Sequence, residues 1–284
     1  MRVQYRGSLK SCNYCCSYCP FAKRKSSERE RSEDKKALFR FLESLSLPQK
    51  QVEALQIVPY GEAMLHRYYW EFLAKASTLP KLRAVGIQTN LSFSAKDFLQ
   101  EWEEQGGKKE KLRIWATFHP SMAKESEFVE TVAQLQQAGI AVSVGMVAMP
   151  DEIPKLAAFR TLLPPKVSFW LNAMDKKSRP YHVEEIEQLV ALDANFAWEL
   201  GHWPSDVSQC QERCFVEADG SLRHCAISRV TLGNWYEDNW QQETISKNCG
   251  RKECSCFLAY SGRKDFIPKK DLGEFAMFRK EKNG

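Results

Sequence analysis

The alternation of short apolar segments with longer amphipathic segments is the feature that most constrains the fold of this chain. Two-residue periodicity and enrichment in β-branched or aromatic residues predict strands at residues 2–6, 56–60, 83–88, 112–118, 141–149 and 167–172. Helical periodicity predicts helices at residues 34–46, 65–77, 95–104, 125–138, 152–162 and 183–192. The second to sixth strands begin about 28 residues apart, which is the length of one strand-helix unit in a parallel sheet. We therefore expect an α/β fold whose strands are buried on both faces.

The regular pattern ends near residues 203–209, where we place a domain boundary. The segment 195–201 falls at the next strand interval and predicts one further strand before that boundary. We expect three parts: an α/β domain at residues 1–204, a small cysteine-rich domain at residues 205–260, and a basic tail at residues 261–284 that lies along the first domain.

Charge and hydropathy argue against two classes of partner. The net charge of +5 is not concentrated in a basic stripe, and residues 23–36 mix both signs, as a solvated helix start or loop does. The longest apolar run, near residues 141–149, is shorter than the roughly 20 residues of a membrane-spanning helix. The N-terminus has no apolar leader. We therefore expect a cytoplasmic protein that binds neither a membrane nor nucleic acid.

The ten cysteines lie in two groups, at residues 12–19 and 210–256, with none in the 190 residues between them. Reducing compartments disfavour disulfides, so clustered cysteines in a cytoplasmic protein indicate metal ligands. The first group follows the first predicted strand, and parallel α/β folds bind their ligands at the carboxyl ends of strands. Two metal sites are therefore expected.

The first group contains Cys12, Cys16 and Cys19, with Tyr18 directly before the last cysteine. A cubane iron-sulfur cluster is normally held by four thiolates. If a loop supplies three, one iron stays open to a ligand from outside the protein, as catalytic zinc sites keep an open position. Zinc is the alternative, because Cys15 allows two C-x2-C pairs to be drawn here.

The spacing Cys12-x3-Cys16-x2-Cys19 resembles the signature of the radical S-adenosylmethionine (radical SAM) superfamily. The resemblance implies a partial (β/α)6 barrel, a [4Fe-4S] cluster on these three cysteines, and S-adenosylmethionine bound at the open iron. It also implies reductive cleavage of that cofactor to methionine and a 5'-deoxyadenosyl radical, which abstracts hydrogen from a substrate. The electron would come from a donor such as flavodoxin or ferredoxin. Cys15 has no role in this pattern and is interpreted as a spare thiol.

A turn with the sequence Pro59-Tyr60-Gly61-Glu62-Ala63 follows the second predicted strand. The family usually has a Gly-Gly-Glu-Pro turn here, which binds the amino group of the methionine moiety. Gly61 and Glu62 match that turn, whereas Tyr60 and Ala63 depart from it. A contact made through the backbone tolerates such changes, and glycine permits close approach.

Later strand ends carry further candidates for binding the cofactor or the substrate. By position these are Thr89, Asn90, His119, Pro120, Met149, Pro150 and Asn172, and within the fifth strand Ser143 and Gly145. In the fifth strand, the family often has a glycine-bearing segment that packs against the adenine. A structural histidine at a strand end is the alternative for His119. No general base or hydrogen donor stands out, so no catalytic residue is assigned.

The second group consists of Cys210, Cys214, Cys225, Cys249, Cys254 and Cys256. Asp219-Gly220 predicts a hairpin turn between two short strands that end near cysteines. Cys210-x9-Gly220-x4-Cys225 resembles the SPASM and shortened twitch extensions of radical SAM enzymes, which implies an auxiliary [4Fe-4S] cluster. Six thiols suffice for one such cluster with two left over, and the spacing does not decide which four bind. A structural zinc ion is the alternative.

The expected substrate is a peptide or protein, because auxiliary clusters of this type resemble those of peptide maturases. A carbohydrate or another small molecule is the alternative within the same chemistry. A zinc-binding nucleic-acid or scaffold module is the alternative of another class, but it does not explain the repeated strand-helix units.

Overall fold

The computed structural model describes residues 1–19, 21, 24–174, 179–201, 203–210, 213–237, 248–266 and 272–275. Its first six strands are β1 (Arg2–Arg6), β2 (Ala54–Ile57), β3 (Ala84–Thr89), β4 (Leu112–Thr117), β5 (Ala141–Ala148) and β6 (Ser168–Ala173). The helices that follow them are α1 (Glu28–Leu45), α2 (Arg67–Thr78), α3 (Ala95–Glu104), α4 (Glu125–Gln137), α5 (Ile153–Leu162) and α6 (Val183–Leu192). Neighbouring strands from β1 to β6 pair in parallel. The predicted α/β architecture is confirmed.

The remaining elements are short. They are β7 (Trp203–Pro204), β8 (Arg213–Glu217), β9 (Ser221–Arg223), β10 (Gly233–Asn234), β11 (Glu253–Cys254) and the helix α7 (Phe257–Tyr260). Strands β8 and β9 form the predicted antiparallel hairpin, and Gly220 at its turn has φ of +90°, a conformation that glycine adopts without strain.

The hairpin extends the main sheet because β8 pairs in parallel with β1. The sheet order is β10-β9-β8-β1-β2-β3-β4-β5-β6, and β7 pairs with β11 in a separate ladder. The sheet and the second ladder therefore both join parts of the chain on either side of the boundary expected at residues 203–209. The division into three domains stays a prediction, and part of the expected tail lies outside the described residues.

The strand predicted at residues 195–201 is wrong, because Phe196–Leu200 forms a 3₁₀ helix. The carboxylate of Asp193 accepts hydrogen bonds from the N–H of Leu171 in β6 and from the N–H of Asn195, both at 3.0 Å. It thus satisfies an edge donor of β6 that a further strand would have used, and it starts the helical turn. Phe196 is fully buried beside Tyr181.

The polar run at residues 23–36 contains the start of α1, which begins six residues before the predicted position, at Glu28. Ser27 caps the helix: its hydroxyl accepts a hydrogen bond from the N–H of Glu30, whose carboxylate accepts one from the N–H of Ser27 at 2.7 Å. This capping box explains why a helix starts in so polar a segment. No described helix is long and apolar enough to cross a membrane.

Two apolar clusters lie on opposite faces of the strands. In β4, Ile114 and Ala116 belong to the large core beneath the helices, while Trp115 between them belongs to a second cluster. That cluster joins Trp115 and Trp170 to the C-terminal residues Phe257, Tyr260 and Phe266, among others. Since side chains alternate along a strand, the C-terminal segment packs on the concave side of the sheet.

Candidate functional site

A cleft of about 970 Å³ opens at the carboxyl ends of the parallel strands. Its lining includes Cys12, Cys16 and Cys19 from the loop after β1, and Cys256 from the second cysteine group. Residues of both cysteine groups therefore line the same cleft. It lies at the edge of the sheet where parallel α/β folds bind ligands. Cys15 is exposed and lies apart from the lining.

The thiols of Cys12, Cys16 and Cys19 lie close enough to influence one another. Burial raises the pKa of Cys12 and of Cys16, and the neighbouring thiols add to both shifts. The N–H of Tyr14 points at the sulfur of Cys12 over 3.4 Å. N–H groups directed at a sulfur stabilise its thiolate, so the loop offers three thiols in a half-buried group at the mouth of the cleft.

The turn that contains Gly61 packs directly against this loop. A Cβ atom on Gly61 would overlap the carbonyl of Ser11, and the N–H of Glu62 donates to that same carbonyl at 2.9 Å. The absence of a side chain at Gly61 therefore allows two backbones to approach closely, as its match to the family turn suggested.

The carboxylate of Glu62 holds the turn to the end of β3. It accepts hydrogen bonds from the N–H of Met64 at 3.0 Å, from the hydroxyl of Thr89 at 2.8 Å and from the N–H of Asn90. Complete burial raises the pKa of Glu62 to about 7, against the lowering effect of these three donors. Its oxygen atoms are thus committed to groups of this chain.

Asn90 connects the end of β3 to the cysteine loop. Its side-chain NH₂ donates to the amide oxygen of Asn13 at 3.0 Å, and its own oxygen accepts from the N–H of Ser92 at 3.0 Å. Leu91, between them, has a φ of +56°, which is rare for a residue other than glycine. Asn90 lines the cleft, as its assignment from position required.

His119 holds the other side of the loop. Its Nδ1 lies 2.7 Å from the hydroxyl of Tyr18 and 3.4 Å from the sulfur of Cys16, and the Tyr18 ring stacks on the imidazole at 5.9 Å. Burial lowers the pKa of His119 to about 4, so the ring is neutral at pH 7. Both residues line the cleft, together with Tyr60, whose ring lies under the guanidinium of Arg6 at 4.3 Å.

Ser143 and Gly145 are not among the residues that line the cleft, and their assignment stays a prediction. Ser143 is fully buried within the sheet. A Cβ atom on Gly145 would overlap the ring of Trp170, so this glycine makes room for an aromatic side chain of the second apolar cluster. Alternation along β5 could not reveal this, because Trp170 comes from a different strand.

Four of the six C-terminal thiols lie near one another. Burial raises the pKa of Cys210 to about 11, with a further contribution from Cys225 and Cys254, and the Cys225 thiol likewise influences Cys256. Among the described residues, no three His, Cys, Asp or Glu side chains converge closely enough to hold a single metal ion. In a four-iron cluster each thiolate binds a different iron, so its sulfurs stand further apart than those around one ion.

The other two C-terminal thiols have different partners, although the sequence assigned all six as candidates. Cys214 points into the large core beneath the helices, where burial raises its pKa to about 12. The sulfur of Cys249 lies 3.0 Å from the hydroxyl of Ser205.

No protein-family model and no curated protein matches the sequence, but solved structures match the fold. The crystal structure of Streptococcus suis SuiB bound to S-adenosylmethionine has a TM-score of 0.55 at 13% identity, over 98% of this chain and 76% of that one. Native anSMEcpe with bound AdoMet has a TM-score of 0.58 at 12% identity, over 97% and 87%. The same protein with AdoMet and the Cp18Cys peptide has a TM-score of 0.56 at 11% identity, over 97% and 87%. The chain has the fold of the radical SAM enzymes.

Within this radical SAM fold, sequence analysis missed Asp34 of α1. Its buried carboxylate accepts hydrogen bonds from the N–H of Leu9 at 2.9 Å and from the hydroxyls of Tyr68 at 3.0 Å and Tyr69 at 2.8 Å. A fourth, from Ser8, measures 3.1 Å. Asp34 thereby anchors the segment that leads into the cysteine loop. Its signal was present, since Asp34 shares the apolar stripe of α1 with Leu38, Phe41 and Leu45.

Proposed function

We propose that this protein is a radical SAM enzyme that abstracts hydrogen from its substrate. The observation that carries the proposal is the arrangement of Cys12, Cys16 and Cys19 around the mouth of a cleft at the carboxyl ends of the strands. Three thiols suit a [4Fe-4S] cluster that keeps one iron for an outside ligand. When bound, that cluster and S-adenosylmethionine would supply a 5'-deoxyadenosyl radical.

The surrounding residues would bind and orient the cofactor. Gly61 and Glu62 hold the turn after β2 against the cysteine loop, and Asn90 holds the loop from the end of β3. Tyr18 and Tyr60 add aromatic surface to the cleft. A neutral His119 adds no positive charge to the site and anchors Tyr18.

A peptide or protein is the proposed substrate class. Among the described lining residues, Arg6 is the only lysine or arginine, and its Nε already donates to the carbonyl of Val58 at 2.8 Å. A phosphorylated small molecule would find little counter-charge there. The apolar lining, with Trp115, Trp170 and Phe257, suits a side chain better. The matching anSMEcpe structure contains a peptide, whereas an uncharged carbohydrate remains the alternative.

The second cysteine group is proposed to hold an auxiliary [4Fe-4S] cluster on Cys210, Cys225, Cys254 and Cys256. Four mutually influencing thiols fit the usual ligand number of a cubane. A structural zinc ion is the alternative occupant. All ten cysteines are free thiols, which fits a cytoplasmic protein served by a donor such as flavodoxin or ferredoxin.

Anaerobic purification with iron and sulfide analysis tests the proposal, followed by reduction with dithionite in the presence of S-adenosylmethionine. We expect about eight irons per chain, four for each cluster, and formation of 5'-deoxyadenosine. Zinc in place of iron, without 5'-deoxyadenosine, would favour a zinc-binding module instead.

Two neighbouring cysteines provide a matched pair of variants. Cys16→Ala is expected to abolish formation of 5'-deoxyadenosine while the C-terminal metal is retained. Cys15→Ala is expected to have little effect, because the Cys15 thiol is exposed and lies apart from the cleft. If Cys16→Ala still cleaved S-adenosylmethionine, the proposed cluster site would be wrong.

A further inference from the structure

Arg213, the first residue of β8, is a buried cation. Its side chain is inserted between the sheet and the C-terminal segment, where its guanidinium donates to the carbonyl of Ala259 at 2.8 Å and only 7% of the residue is exposed. A Cβ atom on Gly262 would overlap this guanidinium, so the backbone is shaped around it. Arginine stays protonated at any ordinary pH, so this charge is permanent.

Among the described residues, no carboxylate neutralises the charge of Arg213. In the part of the chain that the structure describes, no Asp or Glu forms an ion pair with Arg213. The nearby Arg263 differs, since its guanidinium binds both oxygens of Asp265, at 2.7 and 2.5 Å, in addition to donating to the sulfur of Cys254 at 3.7 Å. A buried cation without an anion is costly, so Arg213 requires a negative partner of another kind.

The groups around Arg213 that can carry negative charge are thiols. Its guanidinium contacts the segment that begins at Cys256: it donates to the carbonyl of Ala259 at 2.8 Å, and the N–H of Ala259 donates to the carbonyl of Cys256, also at 2.8 Å. The charge of Arg213 also interacts with those of Cys210, Cys225 and Cys256. Strand alternation explains the geometry, because the next residue, Cys214, points into the core on the opposite face. Arg213 therefore faces the second cysteine group.

A metal site at this place would carry the missing charge. Four thiolates around a [4Fe-4S]²⁺ core or a Zn²⁺ ion have a net charge of about −2. Free thiols would leave Arg213 uncompensated, whereas metal-bound thiolates would pair with it. Net charge near a cluster also helps to set its reduction potential.

We propose that Arg213 is the built-in counter-charge of a metal site formed by Cys210, Cys225, Cys254 and Cys256, and that it raises the reduction potential of an iron-sulfur cluster held there. The inference rests on the auxiliary site of the proposed function. Arg213 acts as a positioning and tuning residue, since the sulfurs themselves bind the metal.

The test uses the full chain with Cys12, Cys16 and Cys19 changed to alanine, so that iron and the electron paramagnetic resonance signal report the second site alone. Arg213→Gln, Arg213→Lys and Arg2→Gln are compared in this background by iron content and by redox titration. Arg2 is a matched control for the loss of a buried cation: it is buried, and it pairs in register with Arg213 on β1. Circular dichroism verifies that each variant is folded.

We expect Arg213→Gln to shift the midpoint potential to a more negative value and to lose iron faster to a chelator. Arg213→Lys should restore most of both properties, and Arg2→Gln should change neither by a comparable amount. An unchanged potential in Arg213→Gln would overturn the proposal. So would equal effects of Gln and Lys, which would indicate a role in packing alone.

The background protein also separates this inference from the proposed cleavage reaction. If it holds no metal, the auxiliary site and the role of Arg213 both fail, while cleavage by the wild-type chain is tested independently. If it holds zinc, weaker zinc retention in Arg213→Gln than in Arg213→Lys supports the counter-charge. Equal zinc retention in the two variants overturns it.

Discussion

The N–H of Glu62 donates a hydrogen bond of 2.9 Å to the carbonyl of Ser11, and Gly61 packs against that same carbonyl. The turn after β2 is therefore joined to the residue that directly precedes Cys12. Because this contact runs between two backbones, the position and orientation of the first cysteine depend on the absence of a side chain at Gly61.

Replacement of Gly61 by alanine should displace the cysteine loop. Overlap with a backbone group cannot be relieved by a rotamer change, and overpacking of this kind costs about 1–3 kcal/mol. We expect Gly61→Ala to lose iron from the first site and to form 5'-deoxyadenosine at least tenfold more slowly. Gly139→Ala is the control: nothing lies within 4 Å of its added Cβ, but its φ of +84° should cost about 1 kcal/mol of stability. Equal cleavage by both variants would contradict the role of Gly61.

The hydroxyl of Tyr18 should stabilise the loop through His119. Tyr18→Phe removes the 2.7 Å contact but keeps the stacked ring, so a loss of about 1 kcal/mol is expected. Iron bound at the first site should then be released to a chelator several-fold faster. Tyr236→Phe is a matched control, because its buried hydroxyl has no hydrogen-bond partner in the described structure. Similar release rates from the two variants would count against the contact.

Asp34→Asn should destabilise the protein and loosen the segment before the cysteine loop. An amide has one acceptor oxygen where the carboxylate serves four donors, and hydrogen bonds to charged groups are the stronger kind. We expect the free energy of unfolding to fall by about 2–4 kcal/mol, as measured by anaerobic guanidinium denaturation. Glu33→Gln, at the exposed preceding position of α1, should change it little. A stable Asp34→Asn protein with full iron would refute this anchor.

Glu62 should make stability depend on pH. Its pKa rises from an ordinary value of 4.5 to about 7 in the folded protein, so the folded state binds this proton more tightly. The resulting stabilisation is complete below about pH 4.5 and is lost as the pH rises through about 7. Its size is on the order of 3 kcal/mol.

The measurement compares wild type with Glu62→Gln, whose amide does not titrate. The stability of wild type relative to the variant should decrease between pH 5 and pH 8, because only wild type loses this contribution. Glu104→Gln, at an exposed position of α3, should show a difference that is constant with pH. If the difference in stability between wild type and Glu62→Gln were also constant with pH, the raised pKa of Glu62 would be contradicted.

Cys225 and Cys214 should respond differently to replacement. Cys225→Ala removes a proposed ligand and should reduce the iron content from about eight to about four per chain. Cys214→Ala removes a sulfur from the core beneath the helices, so it should keep the metal and lower stability by about 1–2 kcal/mol. If Cys214→Ala lost iron and Cys225→Ala retained it, the proposed ligand set would be wrong.

The fold was predicted well because it depends on local patterns. All six predicted strands of the α/β series and all six predicted helices are present, with boundary differences of up to a few residues in most elements. The one false strand, at residues 195–201, has the right composition, but Asp193 satisfies an edge donor of β6 that its pairing would need. Composition cannot report such a competition between long-range hydrogen bonds.

The candidate site was predicted where its residues are close in sequence. Cys12, Cys16, Cys19 and Tyr18 share one loop, so their proximity followed from their spacing, and Asn90 and His119 at strand ends line the same cleft. The surroundings of Gly145 could not be predicted, because a position within a strand does not reveal which neighbouring side chain covers it.

The sequence by itself determined the periodicity of the βα units and the loop that carries three cysteines, because both depend on residues within one or two turns of each other. Only the tertiary structure decided which of the six C-terminal thiols lie together. Packing directs the side chain of Cys214 into the core and that of Arg213 to the opposite face of β8, against the C-terminal segment. The physical reason is that strand pairing and packing across the sheet set those distances. Residues far apart in sequence, such as Arg213 and Ala259, come into contact only when the sheet is complete.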